Sequence, residues 1–398
     1  MSNGADNKET GKLYRSHVRF EISDMLGKWH KFYHIYHGNY DIGYYMWNQE
    51  KGVYELDKEA LTDMIITFRD ILFKDLDPKE MPIITGKDVE EIIKMVRKDF
   101  MEIKGKEPLR VSFINGTIEW VERDGQYHAD KVVWIPADKR DPDFYSFYYV
   151  PWKLNAEVVL RLQDGEIRVE DLEALANKLC PNALKTFKEW VGDKWVTLFQ
   201  IIGYTLYPTI VMGQGFRLVG GHNSGKTTFR KLVDKILGNN VVHITSADLL
   251  YTRFGESELY HKLANTVEED YLYTNAVMYH VKHTIEGTFI TVDRRWKDHM
   301  TFCPIAKFIV ESPRMPVVVD FKENYALRVW IKVEFINKFD RDPQFMEKVF
   351  TPEEINGVVT VSILAVIRAL RNNMFDNDTT RVYWDNLIKG KNTNKTGK

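Results

Sequence analysis

The chain has 398 residues, of which 44% are hydrophobic and 28% are charged, a composition that is ordinary for a globular protein and excludes disordered, collagen-like and disulfide-scaffold chains. The 55 basic and 57 acidic side chains give a formal net charge of −2, so contact with a nucleic acid would require a local basic patch. Two distant cysteines and a polar N-terminus without an apolar signal core predict a cytoplasmic protein.

The first third of the chain predicts helices followed by short strands. Two segments carry apolar residues at helical spacing. These residues are Leu61, Met64, Ile65, Phe68 and Leu72 in the first segment, and Val89, Ile92, Ile93, Val96 and Phe100 in the second. Strand-like segments follow at residues 111–114, 117–121 and 131–135, with turns at Asn115-Gly116 and Asp124-Gly125.

Helical patterns resume between about residues 155 and 206. The uncharged stretch 195–216 is long enough to span a bilayer, but it contains Gln200 and Pro208. We therefore predict a buried helix that ends near Pro208, and no membrane partner. The apolar run 358–370, interrupted by Arg368, predicts a core helix.

From Phe216 onward, short strands alternate with helices, which is an α/β pattern. The strand 216–219 is followed by GGHNSGKT, which fills the phosphate-loop pattern GxxxxGK[ST]. In this pattern backbone N–H groups surround phosphates, Lys226 reaches the β- and γ-phosphates, and the Thr227 hydroxyl binds Mg²⁺. The residues predicted to bind ATP are Gly220, Gly221, His222, Asn223, Ser224, Gly225, Lys226, Thr227 and Thr228. The alternative is an ordinary glycine-rich turn.

A helix should follow this loop, because a helix N-terminus favours anions. One apolar face is present, and Gly238 stands where a C-terminal cap belongs. The face consists of Phe229, Leu232, Val233, Ile236 and Leu237.

The sequence around the loop resembles the superfamily 3 helicases, in particular the helicase portion of virus, phage and plasmid primase-helicases. The segments that carry the resemblance are, in order, YYMWNQEKGVYELD, FINGTIEWVERDGQYHADKVVWIPADKR, IIGYTLYP, QGFRLVGGHNSGKTTFRKLVDKILG, ELYHKLANTVEED, IEGTFITVDRRWKDHMTFCPIAKFIV and ENYALRVWIKVEFINKF, within roughly residues 40–370. The resemblance implies a ring-forming ATPase of the AAA+ type, expected as a homo-hexamer, which uses ATP and Mg²⁺. Such a ring pulls single-stranded DNA through its channel, usually 3′ to 5′, and unwinds forked duplex DNA.

The predicted fold is therefore α/β, with an AAA+ type P-loop ATPase core preceded by a mixed, mainly helical N-terminal domain. A soft domain boundary is expected between about residues 165 and 195. The expected segments are a flexible tail at 1–12, an N-terminal helicase-associated domain at 13–165, a helical connector at 166–200, the ATPase core at 201–340, a C-terminal helical segment at 341–388 and a lysine-rich tail at 389–398.

The segment KLANTVEED is the counterpart of the family's Walker B strand, which ends in carboxylates. Glu268 and Glu269 align best: Glu268 would hold Mg²⁺ together with Thr227, and Glu269 would orient the attacking water. Asn265 and Thr266 make this strand less apolar than is usual. An acidic triplet of this kind can also be a solvated turn.

The segment GTFITVDRRWKDHMTF predicts a hairpin, with a strand at 289–292 and a turn near Asp293-Arg294. The residues predicted to bind DNA are Arg294, Arg295, Trp296 and Lys297, because cations neutralise phosphates and an indole stacks on bases. The resemblance places this hairpin in the channel of the ring. The alternative is an exposed hairpin whose tryptophan packs on the core.

Two further positions bear on catalysis. Where the relatives usually carry asparagine on the sensor 1 strand, this chain has Pro313, so the contact to the γ-phosphate or its water is missing unless Ser312 or Glu311 substitutes. Arg328 should begin a strand; the relatives carry arginine at this position, and the resemblance implies that it acts on the nucleotide of a neighbouring subunit, with a surface ion pair as the alternative.

The sequence thus predicts an ATP-dependent DNA helicase that serves replication of a virus or mobile element. Its main alternative is an ATP-switched DNA-binding scaffold or loader with weak hydrolysis, which Pro313 favours. A small-molecule kinase is a third possibility, but the chain lacks a lid-like arginine cluster.

Overall fold

The computed structural model describes residues 18–27, 32–37, 40–55, 58–74, 83–96, 98–103, 109–122, 129–141, 146–268, 274–294, 297–315 and 328–376. The chain divides into two compact units, the first up to Glu107 and the second from Pro108. The boundary expected between about residues 165 and 195 does not coincide with this division, because one hydrophobic core extends from Val111 to Phe375. None of the described helices combines the length and the hydropathy that a bilayer crossing needs.

The first unit contains a four-stranded sheet of order β3-β2-β1-β4, in which only the β1–β4 pair is parallel. Its elements are α1 (18–27), β1 (Phe32–His37), β2 (Tyr40–Asn48), β3 (Val53–Glu55), α2 (Lys58–Leu72), α3 (Gly86–Met95) and β4 (Lys98–Ile103). Both predicted helices are confirmed, but the second is shorter than expected. It stops at Met95 because Val96 turns to ψ 134°, and Phe100 lies in β4 instead.

The second unit begins with a mixed sheet of order β7-β6-β5-β8 and continues into helices and a parallel sheet. Its strands are β5 (Arg110–Phe113), β6 (Gly116–Glu122), β7 (Ala129–Pro136), β8 (Tyr149–Val150), β9 (Gly215–Val219), β10 (Val241–Val242), β11 (Ala264–Glu268), β12 (Ile290–Arg294), β13 (Lys297–Phe302), β14 (Lys307–Ser312) and β15 (Trp330–Glu334). Its helices are α4 (Ala156–Leu162), α5 (Val169–Leu179), α6 (Pro181–Val191), α7 (Trp195–Thr205), α8 (Lys226–Leu237), α9 (Ser246–Tyr251), α10 (Asn275–Ile285), α11 (Phe345–Val349) and α12 (Pro352–Asn372). The three predicted strands between residues 111 and 135 are confirmed by β5, β6 and β7.

A five-stranded sheet of order β10-β11-β14-β9-β15 forms the centre of the second unit, and all of its neighbouring strands are parallel. Because the carboxyl ends of parallel strands meet at one edge, the loops that follow β9, β11, β14 and β15 gather there. The predicted α/β fold class is thereby confirmed.

The helices α7 and α12 are largely buried in the core of this unit. All residues of α7 are buried, as predicted, and the helix ends at Thr205, near Pro208. The helix α12 covers the predicted run 358–370. Arg368, which interrupts this run, binds Asp376 with two hydrogen bonds, from Nη2 at 2.8 Å and from Nε at 2.9 Å. The two helices cross closely, since a Cβ at Gly203 would lie 2.0 Å from the Ser362 carbonyl oxygen.

Candidate nucleotide-binding site

The predicted phosphate loop lies between β9 and α8, at the carboxyl edge of the parallel sheet. The strand before it and the helix after it are both confirmed. The apolar face of α8 is fully buried, at Phe229, Leu232, Val233, Ile236 and Leu237, and Gly238 follows the last helical residue with φ 56°. The loop therefore has the rigid flanks that hold backbone N–H groups in place around an anion.

Two glycines of the loop are required by close contacts on its inner side. Gly225 has φ +100°, and a Cβ there would lie 2.4 Å from Trp190 Nε1. A Cβ at Gly220 would lie 2.6 Å from the Phe335 carbonyl oxygen. In contrast, nothing lies within 4 Å of a Cβ at Gly221. The loop thus rests on α6 and on the chain after β15, while its Gly221 side is open to a ligand.

The Lys226 side chain folds over the loop. Its Nζ donates hydrogen bonds to the carbonyl oxygens of Gly220 at 2.7 Å and Gly221 at 2.6 Å, and to Ser224 Oγ at 3.2 Å. Burial lowers the pKa of Lys226, whereas the charges of Glu311 and Glu268 oppose that shift. The ammonium group is therefore inside the loop, where a phosphate would compete with the carbonyl oxygens for it.

The strand β11 ends at Glu268, whose side chain is exposed. Glu268 pairs in register with Glu311 of β14, and β14 separates it from β9. Two strand spacings, about 10 Å, thus separate Glu268 from the strand of the phosphate loop. Glu269 and Asp270 lie outside the described residues. Thr227, the other predicted metal ligand, is exposed in the first turn of α8.

Asn265 and Thr266, the polar residues that make β11 less apolar than is usual, are buried and form hydrogen bonds. Asn265 accepts a hydrogen bond from the Ile244 N–H and donates one to the Ile244 carbonyl oxygen, both at 2.9 Å. The Thr266 hydroxyl donates to Asp234 Oδ1 on α8 at 2.5 Å. These residues connect β11 to its neighbours, so their polarity has a structural reason.

A buried ion pair links α8 to β14, and the sequence reasoning missed it. Arg230 Nε donates to Glu311 Oε1 at 2.9 Å, and Arg230 Nη1 lies 3.4 Å from Asp234 Oδ2. The available signal was the Arg230–Asp234 pair at i,i+4 spacing on a helix that follows a phosphate loop. Ser312 Oγ donates to the Arg314 carbonyl oxygen at 2.9 Å, and Pro313 is exposed.

Arg328 does not join the phosphate loop of its own chain. The strand β15 begins at Trp330 rather than at Arg328, and the Gly215 N–H donates to the Val329 carbonyl oxygen at 2.7 Å. Because Arg328 precedes β15, it lies at the amino edge of the sheet, whereas the loop lies at the carboxyl edge. Its side chain is exposed.

The predicted hairpin is present as the antiparallel pair β12–β13. Near the turn predicted around Asp293-Arg294, β12 continues to Arg294, which pairs with Lys297, and the register shifts between Val292 and Arg294. Arg295 and Trp296 lie outside the described residues. Asp293 accepts hydrogen bonds from Arg253 Nε at 2.9 Å and His299 Nδ1 at 2.6 Å, and the bond from Arg253 lowers the pKa of Asp293.

Replacing Gly225 with alanine should destabilise the loop and abolish ATP binding. The left-handed backbone alone costs a non-glycine residue about 1–2 kcal/mol, and the new methyl group would collide with Trp190. Thermal melting and ATP titration measure the two effects. Gly221→Ala is the matched control for stability, because its methyl group meets no atom within 4 Å. Equal melting temperatures for the two variants would contradict this description of the loop.

The chain is similar to a family profile and to solved structures of another protein. A profile described as "Family of unknown function (DUF5906)" matches residues 218–325, from β9 to a point before β15. No curated protein matches the chain. Among solved structures, the A-form apo structure of the NrS-1 C-terminal region is similar at 15% identity and a TM-score of 0.44, covering 91% of this chain and 72% of that chain. Another apo structure of that region gives 15% identity and a TM-score of 0.43, with 91% and 73% covered. These values define no activity for this chain.

Proposed function

We propose that this chain is an ATP-dependent DNA helicase of the superfamily 3 type, built on an AAA+ ATPase core, and that it serves replication of a virus or mobile element. The observation that carries the proposal is that the loop leading to Lys226 follows β9 and that Glu268 ends β11, so both residues lie at the carboxyl edge of one parallel sheet, with β14 between the two strands.

The residues at this edge fit a magnesium nucleotide. The Lys226 ammonium, now bound to loop carbonyl oxygens, would move to the β- and γ-phosphates. The Thr227 hydroxyl and the Glu268 carboxylate are oxygen ligands of the kind that Mg²⁺ prefers. Glu269, as the next residue of the chain, would orient the water that attacks the γ-phosphate. The bound ion would neutralise charge on the phosphates.

The position of Arg328 supports a ring. The five residues of β15 span about 15 Å, and this strand separates Arg328 from the carboxyl edge of its own sheet. If Arg328 stabilises charge on a transferred phosphate, that phosphate would therefore belong to the nucleotide of a neighbouring subunit. A homo-oligomer, which we propose to be a hexamer, places each Arg328 beside the next subunit's phosphate loop.

The hairpin would hold single-stranded DNA in the channel of this ring, with the ring moving 3′ to 5′. Arg294, Arg295 and Lys297 supply positive charge within a nearly neutral chain, and Trp296 supplies a stacking surface. Because Asp293 is already bound to Arg253 and His299, its negative charge is partly neutralised.

The double variant Arg295→Ala with Lys297→Ala should weaken binding to all single-stranded sequences. It should also flatten the salt dependence, because each lost phosphate contact removes about 0.7 from the log–log slope. Trp296→Ala should weaken binding with little change in slope. Fluorescent oligonucleotide binding over a salt series measures both quantities. An unchanged affinity and slope in the double variant would move the DNA site elsewhere.

A strand-displacement assay on forked DNA tests the proposed function as a whole. ATP-dependent unwinding by the full chain supports the helicase. DNA binding that requires ATP but gives no unwinding and little hydrolysis supports the scaffold or loader, which Pro313 favours. Phosphorylation of a small-molecule acceptor would instead indicate a kinase.

A further inference from the structure

Glu311 is a buried carboxylate on the floor of the candidate site. It is the penultimate residue of β14 and is 2% exposed. In register it lies between Leu218 of β9 and Glu268 of β11. It therefore occupies the space between the strand that leads into the phosphate loop and the strand that ends in the candidate metal ligand.

The two oxygens of this carboxylate have different surroundings. Oε1 accepts the hydrogen bond from Arg230 Nε at 2.9 Å. Oε2 is equally buried but has no hydrogen-bond partner among the described residues. A buried oxygen without a partner is unfavourable, so such atoms in native proteins usually face a ligand or an ordered water.

An ionised carboxylate accepts hydrogen bonds and cannot donate them. Glu311 would repel a phosphate oxygen, but it can accept a hydrogen bond from a water molecule beside that phosphate. In the sheet it lies between Glu268 and the last residues of β9, at the edge where the phosphate loop begins, which places it beside the expected phosphate site. Arg230 holds it there from the second turn of α8, one turn beyond Lys226.

We propose that Glu311 replaces the contact that Pro313 cannot make: its Oε2 accepts a hydrogen bond from the water that attacks the γ-phosphate of ATP, and Arg230 positions it. This inference rests on the proposed ATPase function. In the reaction, the water oxygen bonds to the γ-phosphorus while the bond from that phosphorus to the bridging oxygen of the β-phosphate breaks. ADP leaves, and the proton lost by the water passes to Glu269 and then to the released phosphate. Glu311 binds the water's second hydrogen and takes no proton.

The test is steady-state hydrolysis of Mg-ATP by the full chain, together with binding of Mg-ATP and Mg-ADP. Glu311→Gln should lower kcat by about 100-fold, with KM and both affinities changed by less than about threefold. Arg230→Lys should show a smaller loss of kcat, because lysine keeps the charge but not the planar geometry. Glu353→Gln, an exposed glutamate in the first turn of α12, is the control and should match the parent.

A structural role would have a different signature. If Glu311→Gln folds but loses ATP affinity together with kcat, the residue only supports the structure of the nucleotide site and the proposal is overturned. Glu311→Asp keeps the charge, but its shorter side chain holds the carboxylate oxygens farther from the attacking water. It should therefore lower kcat at an unchanged melting temperature, and it tests the proposal even if the glutamine variant does not fold.

The parent and Lys226→Ala separate this inference from the function on which it rests. A kcat within about threefold of the parent in Glu311→Gln, alongside an inactive Lys226→Ala, overturns the role of Glu311 alone. If Lys226→Ala hydrolyses ATP as fast as the parent, the proposed function fails and the role of Glu311 fails with it.

Discussion

Replacing Lys226 with alanine should lower the rate of ATP hydrolysis by about 100-fold or more, because a charge aimed at the transferred phosphate is lost. The fold should survive, since Lys226 Nζ contacts only loop oxygens and not the hydrophobic core. Phosphate release and thermal melting, measured on the same preparation, check the two expectations.

Lys231→Ala is the matched control for this experiment, because Lys231 is an exposed lysine on the same helix. Its hydrolysis rate should equal that of the parent. A Lys226→Ala protein that hydrolyses ATP at the parent rate would show that the loop after β9 is not a phosphate loop.

Arg328→Ala should abolish turnover in a uniform ring but recover part of it in mixed rings. Mixing it with Lys226→Ala subunits creates some interfaces that contain an intact loop and an intact arginine. Hydrolysis across a series of mixing ratios should therefore pass through a maximum, although each variant alone is inactive. The prediction follows from the position of Arg328 at the amino edge of the sheet.

Native mass spectrometry must show that subunits exchange, and Arg161→Ala, an exposed arginine on α4, should behave like the parent. If no ratio restores hydrolysis in verified mixed rings, Arg328 acts within its own subunit or has a structural role.

Local patterns predicted the strand and the helix on either side of the candidate phosphate loop because each requirement lies within a few residues. A strand, tight glycine turns and an amphipathic helix follow one another between residues 215 and 238. Helical periodicity also found α2, while an uncharged stretch and an apolar run predicted α7 and α12. Helical periodicity failed at Phe100, because an apolar residue at helical spacing fits the pattern even where the backbone has become a strand.

Contacts between distant segments could not be predicted in this way. Nothing near Gly225 in sequence indicates that Trp190 lies against it. Thr266 looks like an interruption of an apolar strand until its hydrogen bond to Asp234 is seen. Glu311 stood out in the sequence only as a neighbour of Pro313, whereas its interest comes from Arg230 and from a buried oxygen.

The crossing of α7 and α12 has a consequence for how the second unit unfolds. With Gly203 against the backbone at Ser362, the two helices fit without room for another methyl group. A chain shortened after residue 340 would therefore expose the apolar face of α7 to water, although it would still contain every strand of the parallel sheet. We expect the sheet and α12 to melt in a single transition, because neither keeps its core without the other. The carboxyl edge of the sheet, with the candidate nucleotide site, and α12 would then belong to one folding unit.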